Sequence, residues 1–360
     1  MFPKLRFKEF DGDWLKLKYK DVLTIKYGKD HKSLNDGDIP VYGTGGLMRH
    51  VNKYLYDGES ILIGRKGTID KPKYINEKFW TVDTLFYTEI EESIVPLFLY
   101  QHALEVNWLG LNEATGVPSL NTTSIYNIDI SIPSKEEQNK IASFLSVVDE
   151  KISQLTQKLE LLSQYKQGMM QKLFSQQLRF KADDGSEFGE WEGKELHQIF
   201  QIKAGGDIEK SSVSEVRTSE FSYPIFANSD KNKGFYGWAN KFKYKEAVTV
   251  TGRGNLGIAV ARNEPFYPIV RLLVLLPLVK QNLKFFEEQI NLLDIVSEST
   301  GVPQLTAPQL SKYKVNVPSL EEQTKIANFL SSIDQKIEVV AQQIEQAKQW
   351  KKGLLQQMFI

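Results

Sequence analysis

Cysteine is absent from the 360 residues, so neither disulfides nor thiolate metal sites can form. That suits a reducing compartment. Histidine is scarce: His31, His50, His102 and His197 are scattered and show no metal-ligand spacing. No run approaches the ~20 apolar residues of a membrane span. The most apolar stretch, 266–279, contains Arg271 and two prolines and reads as a buried strand. The opening MFPKLRFKEF lacks the apolar segment of a secretory signal, so the expectation is a soluble, cytoplasmic protein with no membrane partner.

Net charge is also missing: 45 basic residues balance 45 acidic ones. The charges are nevertheless segregated. Residues 81–133 hold seven acids and no Lys or Arg, whereas 225–262 hold seven Lys or Arg against two acids. Basic faces can therefore coexist with neutrality. A P-loop and an HExxH motif are both lacking, and the glycine-rich YGTGG (42–46) is not followed by a helix pattern. A chain of this length without a catalytic constellation reads as a recognition or assembly component, with no metal and no cofactor of its own.

What is present is a long internal repeat. EEQNKIASFL (136–145) recurs as EEQTKIANFL (321–330), at an offset of 185 residues. At that offset 132–152 aligns with 317–337 without a gap, ATGVPSL (114–120) meets STGVPQL (299–305), and YKQGMMQKLF (165–174) meets WKKGLLQQMF (350–359). LRF opens the chain at 5–7 and returns at 178–180, after the first repeated block. The chain is two copies of one unit, each with a variable first part and a well-matched last part.

The matched parts are long helices. Ser134 with Glu137, and Ser319 with Glu322, predict capping boxes after Pro133 and Pro318. Apolar residues then recur in steps of four and three: Ile141, Leu145, Val148, Ile152, Leu155 and Leu159 in one copy, Ile326, Leu330, Ile333, Ile337, Val340 and Ile344 in the other. Lys166 and Lys351 interrupt the two stripes at equivalent places. Such a helix reaches about 60 Å at 1.5 Å per residue, longer than an ordinary domain can cover. The two stripes can cover each other, and pairing of like units about a twofold axis makes the helices antiparallel. The expected architecture is α+β: mixed α/β lobes at 1–133 and 181–318, and helical spacers at 134–180 and 319–360 that form an antiparallel coiled coil with pseudo-twofold symmetry. Within the lobes, Gly64-Arg65 and Gly252-Arg253 form comparable glycine turns.

IPSKEEQNKIASFLSVVDEKI and VPSLEEQTKIANFLSSIDQKI, each following a variable lobe and a TGVP lead-in, resemble the specificity (S) subunits of type I restriction–modification systems. The resemblance covers the whole chain in architecture and is most specific over the helical blocks. It implies two target-recognition domains, each reading one half of a split site in double-stranded DNA. It also implies a non-catalytic subunit on which two adenine-methyltransferase (M) subunits dock, carrying S-adenosylmethionine, and which restriction (R) subunits can join. Under it, DNA contacts are expected at Thr44, Gly45, Gly46, Arg65, Lys66 and Thr115, and at Asn228, Ser229, Lys231, Arg253, Asn255 and Thr300. Glu136, Glu137, Gln138, Glu321, Glu322 and Gln323 are expected at the methyltransferase contact. Two other readings remain open on the residues alone: a stand-alone bipartite DNA-binding protein, and a coiled-coil scaffold without a nucleic-acid role.

Overall fold

Both long helices begin where the Pro-Ser pairs place them, the first running Lys135–Phe174 and the second Leu320–Met358. The computed structural model describes residues 3–295 and 304–359. Ser134 Oγ accepts the Glu137 N–H at 3.3 Å, and Ser319 Oγ accepts that of Glu322 at 3.3 Å. The serine half of each capping box therefore forms. The glutamate half is diverted. The Glu137 oxygens take Nε and Nη2 of Arg6 at 2.7 and 2.8 Å. Glu322 takes the same two atoms of Arg179 at 3.1 and 2.9 Å, plus the Trp191 indole N–H at 3.0 Å. A long-range guanidinium fork outcompetes the local turn because it supplies charge and two donors at once. The two arginines are those of the repeated LRF.

The next residue ties in the lobe. Gln138 Oε1 accepts the Val95 N–H at 2.8 Å, and its amide donates to the Ser93 and Pro133 carbonyls. Gln323 does the same with the Asn282 N–H at 3.0 Å and the Pro318 carbonyl. Val95 and Asn282 cap short helices, Pro96–Ala103 and Leu283–Ile290. One glutamate and one glutamine thus fasten both an N-terminal segment and a lobe helix to the first turn of each long helix.

Two compact units result: residues 1–158 with 340–360, and residues 159–339. The first carries β1 (Leu15–Lys18), β2 (Leu23–Tyr27), β3 (Ile39–Gly43), β4 (Gly46–Val51), β5 (Tyr56–Gly64), β6 (Lys73–Thr81), β7 (Leu85–Ile90) and β8 (Asp129–Ile132). A six-stranded sheet runs β2-β7-β5-β6-β3-β4, while β1 and β8 pair apart from it. Ile61, Leu62 and Ile63 are all buried, as consecutive residues of a central strand covered on both faces must be. One cluster joins Tyr19, Phe86, Phe98 and Trp108 of the lobe to Ile141, Leu145 and Val148 of the first helix and to Leu354, Leu355 and Met358 of the second. Burial of each such side chain is worth about 1.5–3 kcal/mol. In the same core Tyr19 Oη lies 2.9 Å from His102 Nδ1; burial holds the imidazole down to about 4 and the phenol up, so the pair is neutral at pH 7.

The second unit carries β9 (Glu192–Glu195), β10 (Phe200–Ala204), β11 (Val213–Ser214), β12 (Tyr223–Phe226), β13 (Phe235–Ala239), β14 (Ala247–Val250), β15 (Ala259–Arg262), β16 (Tyr267–Pro268), β17 (Leu273–Pro277) and β18 (Lys314–Val317). Its sheets run β10-β17-β14-β15 and β11-β13-β12-β16, with β9 and β18 paired alone. The apolar run 266–279 is split between two of these strands at Val270 and Arg271, whose φ angles of 50° and 59° are left-handed and cannot continue a strand. The units share a plan. β1–β8 corresponds to β9–β18, and the parallel pair β3–β6 corresponds to β12–β16.

The long helices form an antiparallel pair. The start of the first packs with the end of the second in one unit, and Met170 and Leu173 pack with Ile326, Leu330 and Ile333 in the other. Of the stripe residues, Ile152, Leu159 and Ile337 are half-buried, while Leu155, Val340 and Ile344 are buried. The stripe near each helix start covers its own lobe as well as the other helix. The two interrupting lysines find carboxylates there: Lys351 lies 2.6 Å from Asp149, and Lys166 lies 2.7 Å from Asp334. These pairs step up one helix as they step down the other, which is the antiparallel register. The LRF junctions also correspond. Leu178 N donates to Lys172 O at 3.1 Å and Leu5 N to Gln357 O at 2.9 Å, so the N-terminal segment meets the end of the second helix as Leu178 meets the first.

Two outcomes follow from these contacts. Arg179→Met leaves the Glu322 carboxylate buried without its cation, and urea unfolding is expected to show a loss of about 3–5 kcal/mol. Lys181→Ala, which removes an exposed pair with Glu187, is expected to leave the midpoint unchanged. The second outcome concerns acid. Burial pushes the Asp334 carboxyl up, but the hydrogen bond from Lys166 and the charges of Lys284 and Lys166 outweigh it and hold the carboxyl below the usual range. A depressed folded value stabilises above the unfolded value of about 3.9 and is lost as pH falls through the folded value. Asp334→Asn is therefore expected to lower stability at pH 7 and to flatten its decline below about pH 4.

Candidate nucleic-acid interface

In the first unit three loops come together. A Cβ built on Gly67 would lie 3.6 Å from Thr44 Oγ1, and one built on Gly46 would lie 3.4 Å from Lys73 Nζ. The Gly67 N–H donates to Pro118 O at 2.8 Å, and Leu120 N–H to Arg65 O at 2.9 Å. The β3–β4 turn, the turn after β5 and the 113–120 loop therefore form one surface, which gathers Thr44, Gly45, Gly46, Arg65 and Lys66. Thr115 is exposed further along the same loop. Lys73 was not expected here; its sequence neighbours give no sign that it reaches the hairpin.

In the second unit Asn228, Ser229 and Lys231 lie in the turn between β12 and β13, and Arg253 and Asn255 between β14 and β15. Asn228 joins the turns: its amide donates to Arg253 O at 2.6 Å and its carbonyl accepts the Gly252 N–H. Asn255 donates to Asp230, a bond that holds that carboxyl below its usual range. The five residues are brought together, but the two asparagines already bind other loop groups. Thr300 lies outside the described residues. Arg262, one of the basic residues of 225–262, is withdrawn from the surface. It lies 3.5 Å over the Phe226 ring, donates to Thr249 Oγ1 and Lys233 O, and burial lowers it to about 10.

The basic turns correspond with a shift of one. Lys66 bridges Ser119 as Arg253 bridges Gln304, whereas Arg65 stands where Gly252 does. Arg65 is also tied back, donating to Asp83 O at 3.1 Å and lying 5.4 Å from the Tyr27 ring centre. Lys66 and Arg253 are the corresponding cations of the two turns, and both are exposed. Each hairpin also carries an irregularity at one equivalent place. Val41 pairs with Arg49 but Tyr42 with Leu47; Ile225 pairs with Gly237 but Phe226 with Phe235. Met48 and Tyr236 are the unpaired bulge residues.

The helix-start residues need a correction. Glu137, Gln138, Glu322 and Gln323 are at most 1% exposed and face inward, bound to Arg6, Arg179 and the lobes as described. They cannot present themselves to another subunit in this structure. Glu136 and Glu321 are exposed. Among the described residues no helix is long and apolar enough to cross a membrane.

The Asn228 latch gives a local test. Asn228→Ala leaves the Gly252 N–H without its partner, at about 1–2 kcal/mol. Hydrogen exchange at Gly252 is expected to quicken about tenfold, while Lys231→Ala leaves it unchanged.

A family model described as the type I restriction modification DNA specificity domain matches residues 11–164 and 189–349. A Mycoplasma pneumoniae protein assigned as a type I specificity subunit is 28% identical over 88% of this chain and 88% of its own. The MjaVIII type I restriction enzyme specificity subunit of Methanocaldococcus jannaschii is 26% identical over 84% of this chain and 76% of its own. Among solved structures, the type I S subunit of M. genitalium superposes with a TM-score of 0.71 at 17% identity, covering 100% of this chain and 99% of that one, a likeness of fold.

Proposed function

Because the chain belongs to the type I restriction–modification DNA specificity domain family, we propose that it is the specificity subunit that reads a split site in double-stranded DNA, one half per unit. The observation that carries this reading is the duplicated surface. A glycine-bearing hairpin and a basic turn joined to it recur in two lobes whose sequences have otherwise diverged. A cation at Lys66 or Arg253 suits a phosphate or a guanine edge. Thr44, Gly45, Gly46, Arg65 and Thr115 in one lobe, and Asn228, Ser229, Lys231 and Asn255 in the other, flank those cations; Thr300, outside the described residues, is assigned to the same DNA contact from the sequence. The subunit itself carries no catalysis and no cofactor. Two adenine-methyltransferase subunits dock on the repeated helices, where Glu136 and Glu321 are the accessible members of the repeated acidic starts, and restriction subunits can join. S-adenosylmethionine belongs to the methyltransferase partner. The complex acts in the cytoplasm.

The test is to express the chain with its methyltransferase partner and map methylated adenines. A bipartite target is expected; contiguous or absent methylation overturns the reading. Binding to a duplex carrying that target is expected to weaken linearly in a log–log plot against salt. Lys66→Ala and Arg253→Ala are each expected to reduce the slope by about 0.9 if they neutralise one phosphate, and to relax specificity in one half-site if they read a base.

A further inference from the structure

The bulges in the two hairpins expose large apolar side chains. Met48 is 57% exposed and Tyr236 is 61% exposed, and each is the one residue its strand leaves unpaired at the equivalent place. A bulge re-aims a side chain that regular pairing would place elsewhere. In each hairpin the bulge lies two residues after a glycine of positive φ, Gly46 at 122° and Gly234 at 79°. A Cβ on Gly43 would meet Met48 Sδ at 2.7 Å, so a glycine there leaves room for the methionine to lie across the tip. Nothing else about the two tips matches in sequence: YGTGGLM in one, FANSDKNKGFY in the other. An exposed apolar residue held at one backbone position through such divergence points to an external occupant.

The surroundings say which. Lys73 stands beside the Gly46 turn, with Lys66 on the adjoining turn; in the second unit Lys231 and Lys233 are exposed within the tip itself, with Arg253 on the turn latched to it. Cations around an apolar centre suit phosphates around a base step. Resting on the DNA-specificity reading above, we infer that Met48 and Tyr236 each insert against a base step of their half-site and partly unstack it, while the flanking cations hold the neighbouring phosphates. Thioether and phenol side chains both offer flat or polarisable apolar contact to a base face. The unstacked step adds sequence dependence, because steps differ in the energy needed to open them.

The experiment uses the complete complex with its methyltransferase subunits and a duplex carrying the mapped target. 2-Aminopurine or pyrrolocytosine replaces one base at a time through each half-site, and the readout is the fluorescence difference between wild type and variant. Met48→Ser is expected to abolish a brightened position in the first half-site only, Tyr236→Ser in the second only. Each weakens binding about tenfold without changing the salt slope, and Met48→Leu and Tyr236→Phe keep the signal. Brightening that the serine variants leave untouched overturns the inference, as does tenfold weaker binding with no change in fluorescence, which means a groove contact without insertion. Loss of methyltransferase subunits from either variant by native mass spectrometry also overturns it, assigning the residue to a protein contact. If wild type shows sequence-specific, salt-dependent binding but no brightened step, only the insertion fails. If wild type shows no such binding, the DNA reading fails with it.

Discussion

A buried glutamate held by a half-buried arginine at the first turn of each long helix is the contact on which both units depend. Arg6 with Glu137, and Arg179 with Glu322, join residues 131 and 143 positions apart. The neighbouring glutamine fixes the cap of the lobe's short helix to the same turn. A long helix so held has its N-terminus, its lobe and its incoming chain segment fixed together, and the direction in which its apolar stripe faces follows. Neither carboxylate has water to fall back on, so the geometry is enforced by the penalty of breaking it.

The helix pair adds a second constraint. An all-apolar stripe could slide by whole heptads without losing much burial. Lys166 with Asp334, and Lys351 with Asp149, allow one alignment to satisfy both charges, and the Lys166–Asp334 site is extended by Lys284 and Glu288. Placed where the stripes would otherwise be apolar, they trade some stability for a defined register.

Much of this was legible in the sequence, and the failures have physical reasons. The heptads, the serine caps and the equivalence of the two LRF segments are local or repeated patterns, and all three stand in the structure. Glu137 and Gln138 face inward, away from the methyltransferase contact expected of them, because their partners, Arg6 and Val95, are distant in the chain; for Glu137 a capping box is the best local explanation, and the structure keeps its serine half and gives the carboxylate to Arg6. The basic turns were matched through Gly-Arg, whereas backbone pairing matches Lys66 with Arg253. Lys73 and the two bulges left no signal, since a one-residue register shift depends on the partner strand. The apolar run at 266–279 hid the left-handed break at Val270–Arg271 because hydrophobicity carries no record of φ.

The make-up of the first unit bears on the order in which the molecule is completed during synthesis. Its core includes Leu354, Leu355 and Met358, which are translated after the whole of residues 159–339. The second unit, residues 159–339, is one uninterrupted stretch. The ribosome therefore delivers every residue of the later-coded unit before the earlier-coded one can close. The amino-terminal lobe must wait with the apolar face of its first helix partly uncovered, while domains more often finish in coding order. During that interval the uncovered face is open to chaperones and to other nascent copies of the same chain.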